Sequence, residues 1–316
     1  MAGRSLRNLV RSAVLVLGMV GLLLSLGWFF AGIYGIAWAL CVGIIPLVAS
    51  IRIYPALVLK MYRARPLAAA ESPQLHAIIR ELARRADLDT VPRLHYIPST
   101  APLVFSIGSG SNAAIAVSDG ILRLLTLREL VGVLGHEMSH IGSGDTWVMS
   151  FADVVNRLTR LISLLGQLLV LINLPLFILG EYAMPWVPII LMMFAPTVSA
   201  LLQLSLSRTR EYEADLSGAR LSGDPAGLAS ALAKLEAHQQ RLLKRALIPG
   251  RTTVEPSLLR THPVTDERIR RLAEVEHELY PDREPLTGAD GEGGTLAPHL
   301  EEVTRRPRRH LSGLWH

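Results

Sequence analysis

Thr126–Asp145, TLRELVGVLGHEMSHIGSGD, carries the pentapeptide His136-Glu137-Met138-Ser139-His140 on a segment built to be a helix. Thr126 followed three residues later by Glu129 is a capping box, in which each side chain satisfies a backbone N–H at the helix start. Leu127, Leu130, Val131, Leu134, Met138 and Ile141 recur at three- and four-residue steps, so they form one apolar stripe that faces a core. His136 and His140 then fall on the opposite face. Gly132 and Gly135 each weaken a helix by roughly 0.5–1 kcal/mol, which points to close approach of another backbone or of a substrate. Gly142 and Gly144 can end the helix.

Two histidines four apart stack one turn above the other, so both imidazoles can reach one tetrahedral Zn2+ at about 2.0–2.1 Å. Glu137 is offset to the side. That suits a carboxylate that must reach the water beside a metal without becoming a ligand, the role it has in the His-Glu-x-x-His pattern of metalloproteases. Ten histidines in 316 residues can also make the pattern by accident, so a second acidic motif matters. It stands in Arg208-Thr209-Arg210-Glu211-Tyr212-Glu213-Ala214-Asp215, where Glu211 and Asp215, four apart, share a helix face. Glu211 would complete a His2Glu zinc site. Asp215 could accept the N–H from the far side of a ligand imidazole and fix its tautomer. Charged helices often contain Glu-x-x-x-Asp, and what gives this one weight is its place directly after an apolar stretch.

Half of the residues are hydrophobic and 19% are charged, against about 25% charged in a soluble protein, so part of the chain belongs in lipid. The net charge of +5 comes mostly from arginines beside apolar segments, which fits anionic lipid headgroups better than nucleic acid. The single cysteine, Cys41, excludes an intrachain disulfide and a Cys-ligated metal site.

Ser12–Ile51 is uncharged and long enough for two crossings of a bilayer core of about 30 Å, predicted at residues 12–30 and 36–51 with a turn near Gly32-Ile33-Tyr34-Gly35. A cleavable signal peptide is the rival reading of the first crossing. Arg4, Arg7 and Arg11 before the pair, and Arg52, Lys60, Arg63 and Arg65 after it, place both flanks in the cytoplasm by the positive-inside rule. Leu161–Gly180 and Tyr182–Ser207, broken by Pro175, Pro185, Pro188 and Pro196, read as third and fourth spans, or as a hairpin that is buried in the domain or dips into the membrane.

Glu71–Ala86 reads as a surface helix with Ser72 as N-cap and Pro73 at its first position, and His76 on it as an ordinary surface or interhelical residue. Arg93–Ile97 and the segment Ala113, Ile115, Val117 read as short strands with a turn at Gly108–Asn112 between them. Leu103–Ser106 is either an exposed strand edge able to hold an extended substrate or a plain hairpin. Asp224 caps a helix with Pro225 at its first position, running toward Arg245, and Thr265 caps another. His262 and Arg268 are either cleft residues able to polarise a carbonyl or bind an oxyanion, or a turn histidine and a surface arginine. Residues 281–316, rich in Gly, Pro and charge, read as a disordered or lipid-touching tail.

Ala113–Leu122 (AAIAVSDGIL), Leu130–Ile141 (LVGVLGHEMSHI), Ser207–Asp215 (SRTREYEAD), Asp224–Leu235 and Thr261–Leu272 (THPVTDERIRRL) together resemble the HtpX-type membrane zinc metalloproteases, relatives of the CAAX prenyl proteases. The resemblance implies a mainly α integral membrane protein with about four transmembrane helices and a gluzincin-type metalloprotease domain carrying a small β-sheet. It divides the chain into a membrane anchor at residues 1–54, a protease domain at 55–280 including the apolar hairpin 161–207, and the tail. By the same resemblance His136, His140 and Glu211 hold one zinc ion, Glu137 is the catalytic base, Asp215 supports the ligands from behind, and His262 and Arg268 contact substrate or transition state. Its substrates would be membrane or misfolded proteins on the cytoplasmic side of a bacterial-type inner membrane. Two rival functions remain: a CAAX-type protease trimming prenylated C-termini, and a non-catalytic scaffold stabilised by zinc. One departure bears on specificity, since the family often has Asn-Ala-Phe where this chain has Leu103-Val104-Phe105.

Overall fold

The structure, a computed structural model, describes residues 2–180, 185–246 and 265–279. His262, residues 181–184 and the tail expected at 281–316 lie outside the described residues. By contacts within the chain two compact units separate, one taking Met1–Leu57 and Ser143–Ala214, the other Val58–Gly142, Asp215–Val254 and the segment from Thr265 on.

The second unit is organised on α4 (Leu127–Gly142), and both halves of its capping box form. The N–H of Thr126 donates to Oε2 of Glu129 at 2.9 Å, and the N–H of Glu129 donates to Oγ1 of Thr126 at 3.4 Å. Burial would raise the Glu129 carboxyl, but donors from Ser230, Lys234 and Thr126 hold it below the usual carboxylate range. Four strands lie beside this helix: β1 (Arg65–Pro66), β2 (Arg93–Ile97), β3 (Val104–Ile107) and β4 (Ala114–Ser118), in the order β1-β2-β4-β3. β2 and β4 run parallel, while β3 is antiparallel to β4 with Val104 opposite Val117, so β3 is an edge. All five residues of β4 are buried, as its unbroken small-apolar run requires of a strand covered on both faces. β1 and the short α3 (Asp119–Leu124) were not expected. The Ser118 side chain caps α3, accepting from the N–H of Ile121.

The core gathers Leu75 and Ile79 of α2 (Pro73–Arg85), Ile115 and Val117 of β4, and Leu130, Leu134 and Met138 of α4. To these it adds Leu228 of α7 (Pro225–Ala246) and Leu272 of α8 (Thr265–Leu279). The predicted cap holds at α7, where the N–H of Gly227 donates to Asp224 Oδ1 at 3.0 Å; at α2 Ser72 and Pro73 take the expected positions, but the Ser72 side chain makes no capping hydrogen bond. His76 hydrogen-bonds through its ring to the Ser72 carbonyl, in line with the ordinary role expected of it.

Among the described residues the first unit takes α5 (Asp145–Ile178) whole and the larger parts of α1 (Ala2–Met61) and α6 (Trp186–Ser222). α1 doubles back at Ala31–Gly32, where Gly32 has φ 57, close to the expected turn. The two arms meet backbone to backbone at Gly27 and Gly35, where neither position has room for a Cβ, and Gly43 lies against Leu23. Among the described residues three helices are long and apolar enough to cross a membrane, Ser12–Phe29, Val148–Ile178 and Trp186–Ser222; the second expected span, residues 36–51, overlaps the shorter apolar helix Ala31–Ile45. Leu161, Leu164, Leu168 and Leu171 of α5 are each more than half exposed, a surface suited to hydrocarbon.

Two expectations about these helices need correction. Pro175 and Pro196 lie inside α5 and α6 rather than ending them, and Pro188 falls in the first turn of α6, where its missing N–H has no helical partner to lose. The helices also outrun the apolar stretches, since α5 starts at Asp145, immediately after the left-handed Gly144, and α6 runs on to Ser222. Thirty-seven residues at ~1.5 Å rise exceed a hydrocarbon core of ~30 Å, so α6 carries its charged last turns beyond the lipid.

Candidate metal centre

On α4 the rings of His136 and His140 meet edge to face, with centroids 4.8 Å apart and planes at 87°. Their Nε2 atoms are 3.2 Å apart. A tetrahedral ion with bonds of about 2.0–2.1 Å separates its ligand atoms by roughly 3.3 Å, so the pair spans one edge of such a tetrahedron. Glu211 on α6 joins them: one ligand atom from each of His136, His140 and Glu211 lies within 4.8 Å of the others. Two imidazoles and a carboxylate are the donor set of a zinc site that keeps its fourth position open. The residues therefore fit a divalent metal.

One turn past Glu211, Asp215 stands behind the first histidine, with its Oδ1 3.0 Å from Nδ1 of His136. A carboxylate beside Nδ1 favours the tautomer with the proton on that nitrogen, which leaves the Nε2 lone pair for a metal. Asp215 is held in turn by Arg268 of α8, whose Nε and Nη2 donate to its two carboxylate oxygens at 2.7 Å each. Only 3% of Arg268 is exposed and its fork faces Asp215, so it is not the surface arginine offered as one of its two readings. A bidentate guanidinium matches a carboxylate plane, which keeps Asp215 ionised and oriented without water.

This packing depends on two glycines. A Cβ on Gly135 would stand 2.9 Å from the carbonyl oxygen of Gly218, and one on Gly218 would stand 2.6 Å from the backbone N of His136. The close approach inferred from Gly135 is thus to another backbone, that of α6.

Glu137 is buried, and its Oε2 accepts from both the backbone N–H and the Oγ–H of Ser106, each at 2.7 Å. The strand that holds it is pinned just before its start, from β4. Ser118 Oγ donates to the Ala101 carbonyl at 2.7 Å and accepts from the N–H of Leu103 at 2.8 Å. Leu103–Ser106, read as a possible substrate edge, therefore lies at the rim of the sheet, in direct contact with the motif glutamate.

The sequence model of peptidase family M48 matches residues 69–276. The chain belongs to peptidase family M48. Curated relatives span nearly their whole length. A "Protease HtpX homolog" of Kineococcus radiotolerans is 38% identical over 291 residues, covering 84% of this chain and 96% of its own. Homologues bearing the same description from Methylibium petroleiphilum and Pyrococcus abyssi are 34% and 35% identical, covering 84% and 85% of this chain and 96% of each relative. A solved structure, that of S. mikatae Ste24p, is 20% identical with a TM-score of 0.44, covering 86% of this chain and 66% of that one. This M48 peptidase is a multi-pass, membrane-anchored metalloprotease acting on polypeptides.

Among the described residues, His136, His140, Glu211, Glu137, Asp215 and Arg268 come together at this centre. Two features were missed. Nothing in the sequence pairs Asp215 with Arg268, 53 positions away. Ser106 was seen only as the end of a strand, although a hydroxyl on an edge beside a carboxylate motif is a signal that could have been read.

Proposed function

We propose that the chain is a zinc endopeptidase with one Zn2+ per chain, held by His136, His140 and Glu211. It would cleave membrane or misfolded proteins at the cytoplasmic face of a bacterial inner membrane, as part of protein quality control. The observation that carries this reading is the convergence of the three ligand atoms within 4.8 Å, with Asp215 Oδ1 3.0 Å behind Nδ1 of His136.

Zinc supplies Lewis-acid polarisation of the scissile carbonyl and lowers the pKa of water toward 7. Glu137 takes a proton from the attacking water and passes it to the leaving amine, which departs neutral. β3 offers an extended substrate an open strand edge. His136 and His140 stay fixed through the reaction, the first by Asp215 and Arg268. The cytoplasmic placement rests on Arg11, Lys60, Arg157, Arg160 and Arg208, which bracket the apolar stretches on one side. Residues 1–54 serve as anchor and 55–280 as the protease domain.

Glu137→Gln should keep its zinc and lose peptidase activity by at least 10²-fold, the range of general-base help. Glu211→Ala should lose the metal itself. Zinc content by atomic absorption, measured beside hydrolysis of an unfolded protein, checks both. Full activity in Glu137→Gln, or full zinc in Glu211→Ala, would overturn the assignment.

A further inference from the structure

We propose that Ser106 is a positioning residue for the general base, a role that rests on the peptidase reading above. β3 borders only β4, so its backbone groups point alternately to β4 and to the open edge. The Leu103 carbonyl accepts from the N–H of Ser118 at 2.9 Å, which turns Leu103, Phe105 and Ile107 toward β4 and leaves Val104 and Ser106 facing outward.

From that open edge two donors of Ser106 converge on a single oxygen, Oε2 of Glu137, at 2.7 Å each. The N–H comes from rigid backbone and fixes where the oxygen sits. The hydroxyl arrives off the strand axis and restrains rotation of the carboxylate about its last torsion. Among the described residues these are the hydrogen bonds of the Glu137 side chain, so Oε1 is the oxygen left to take a proton. A general base must hold that oxygen within about 2.6–3.2 Å of the proton it removes, and a carboxylate free to rotate is misaligned for part of the time. The proton moves from water to Oε1 and then to the leaving amine, while the Ser106 hydroxyl keeps its own. Any residue but proline at position 106 supplies the N–H; serine or threonine adds the short-reach hydroxyl. The contact also ties the base to the strand against which a substrate would lie, so a peptide paired with β3 is registered to the proton acceptor.

The test compares Ser106→Ala and Ser106→Thr with the parent, as full chains in detergent with zinc, on dye-labelled carboxymethylated lactalbumin. Loss of one hydrogen bond to a charged group predicts a fall in kcat of about tenfold for Ser106→Ala, with KM and zinc content within twofold of the parent. Ser106→Thr, which keeps the hydroxyl and suits a strand, should return kcat to within threefold. A kcat for Ser106→Ala within twofold of the parent, a threonine variant as slow as the alanine one, or a loss carried by KM or by zinc would overturn the inference. Glu137→Gln run alongside separates the two claims: if it is inactive while Ser106→Ala is unaffected, only the positioning role fails. If Glu137→Gln stays active, the base assignment fails and this role with it.

Discussion

Asp215 receives a proton donor from His136 on one side and the Arg268 fork on the other, while almost wholly buried. A buried carboxylate is tolerated only when its charge is met in this way. Asp215→Asn keeps the size but presents an amide NH2 where one oxygen was, facing either the guanidinium or the imidazole N–H. Expected is a 10–100-fold loss of zinc affinity, the usual effect of removing a partner behind a ligand histidine, read by titration against a metal buffer. Parent-like affinity would mean that His136 holds its tautomer without help. Glu137 differs in kind: its partner Ser106 lies on a strand edge, so the proposed base is set by the sheet while the proposed ligands are set by helices.

Among the elements, α4 and α6 matter most, because the ligands reach one another only if these helices approach at backbone distance. Gly135 and Gly218 permit that approach, and a methyl at Gly218 meets the rigid backbone of Gly135 and His136. Gly218→Ala is therefore expected to lower stability by about 1–3 kcal/mol, as overpacking does, and to loosen the metal in the same step. Thermal unfolding with and without added zinc checks this; an unchanged midpoint in both would show that the helices can shift freely. α4 itself was legible from its capping box and its three-four spacing, because those signals are local. The extents of α5 and α6 were not. The charged residues beyond each apolar stretch continue the helix at no loss, and no local signal marks where lipid ends.

For the whole molecule, the arginines beside the apolar segments predict a cytoplasmic catalytic unit. With Cys41→Ser as background, a cysteine in place of the exposed Ser109 should react with a membrane-impermeant maleimide in inverted vesicles and stay unlabelled in intact spheroplasts. The reverse pattern would invert the topology. By itself the sequence determined the membrane class, the chemistry of the motif and the helix on which it sits, because composition, spacing and capping act over a few residues. His136, His140, Glu137 and the pairing of Glu211 with Asp215 on one face could all be read in this way. Tertiary structure alone decided that Arg268 braces Asp215 and that Ser106 grips Glu137. These contacts join residues 53 and 31 positions apart, and their partners are chosen by how helices and strand edge pack, which no local pattern encodes.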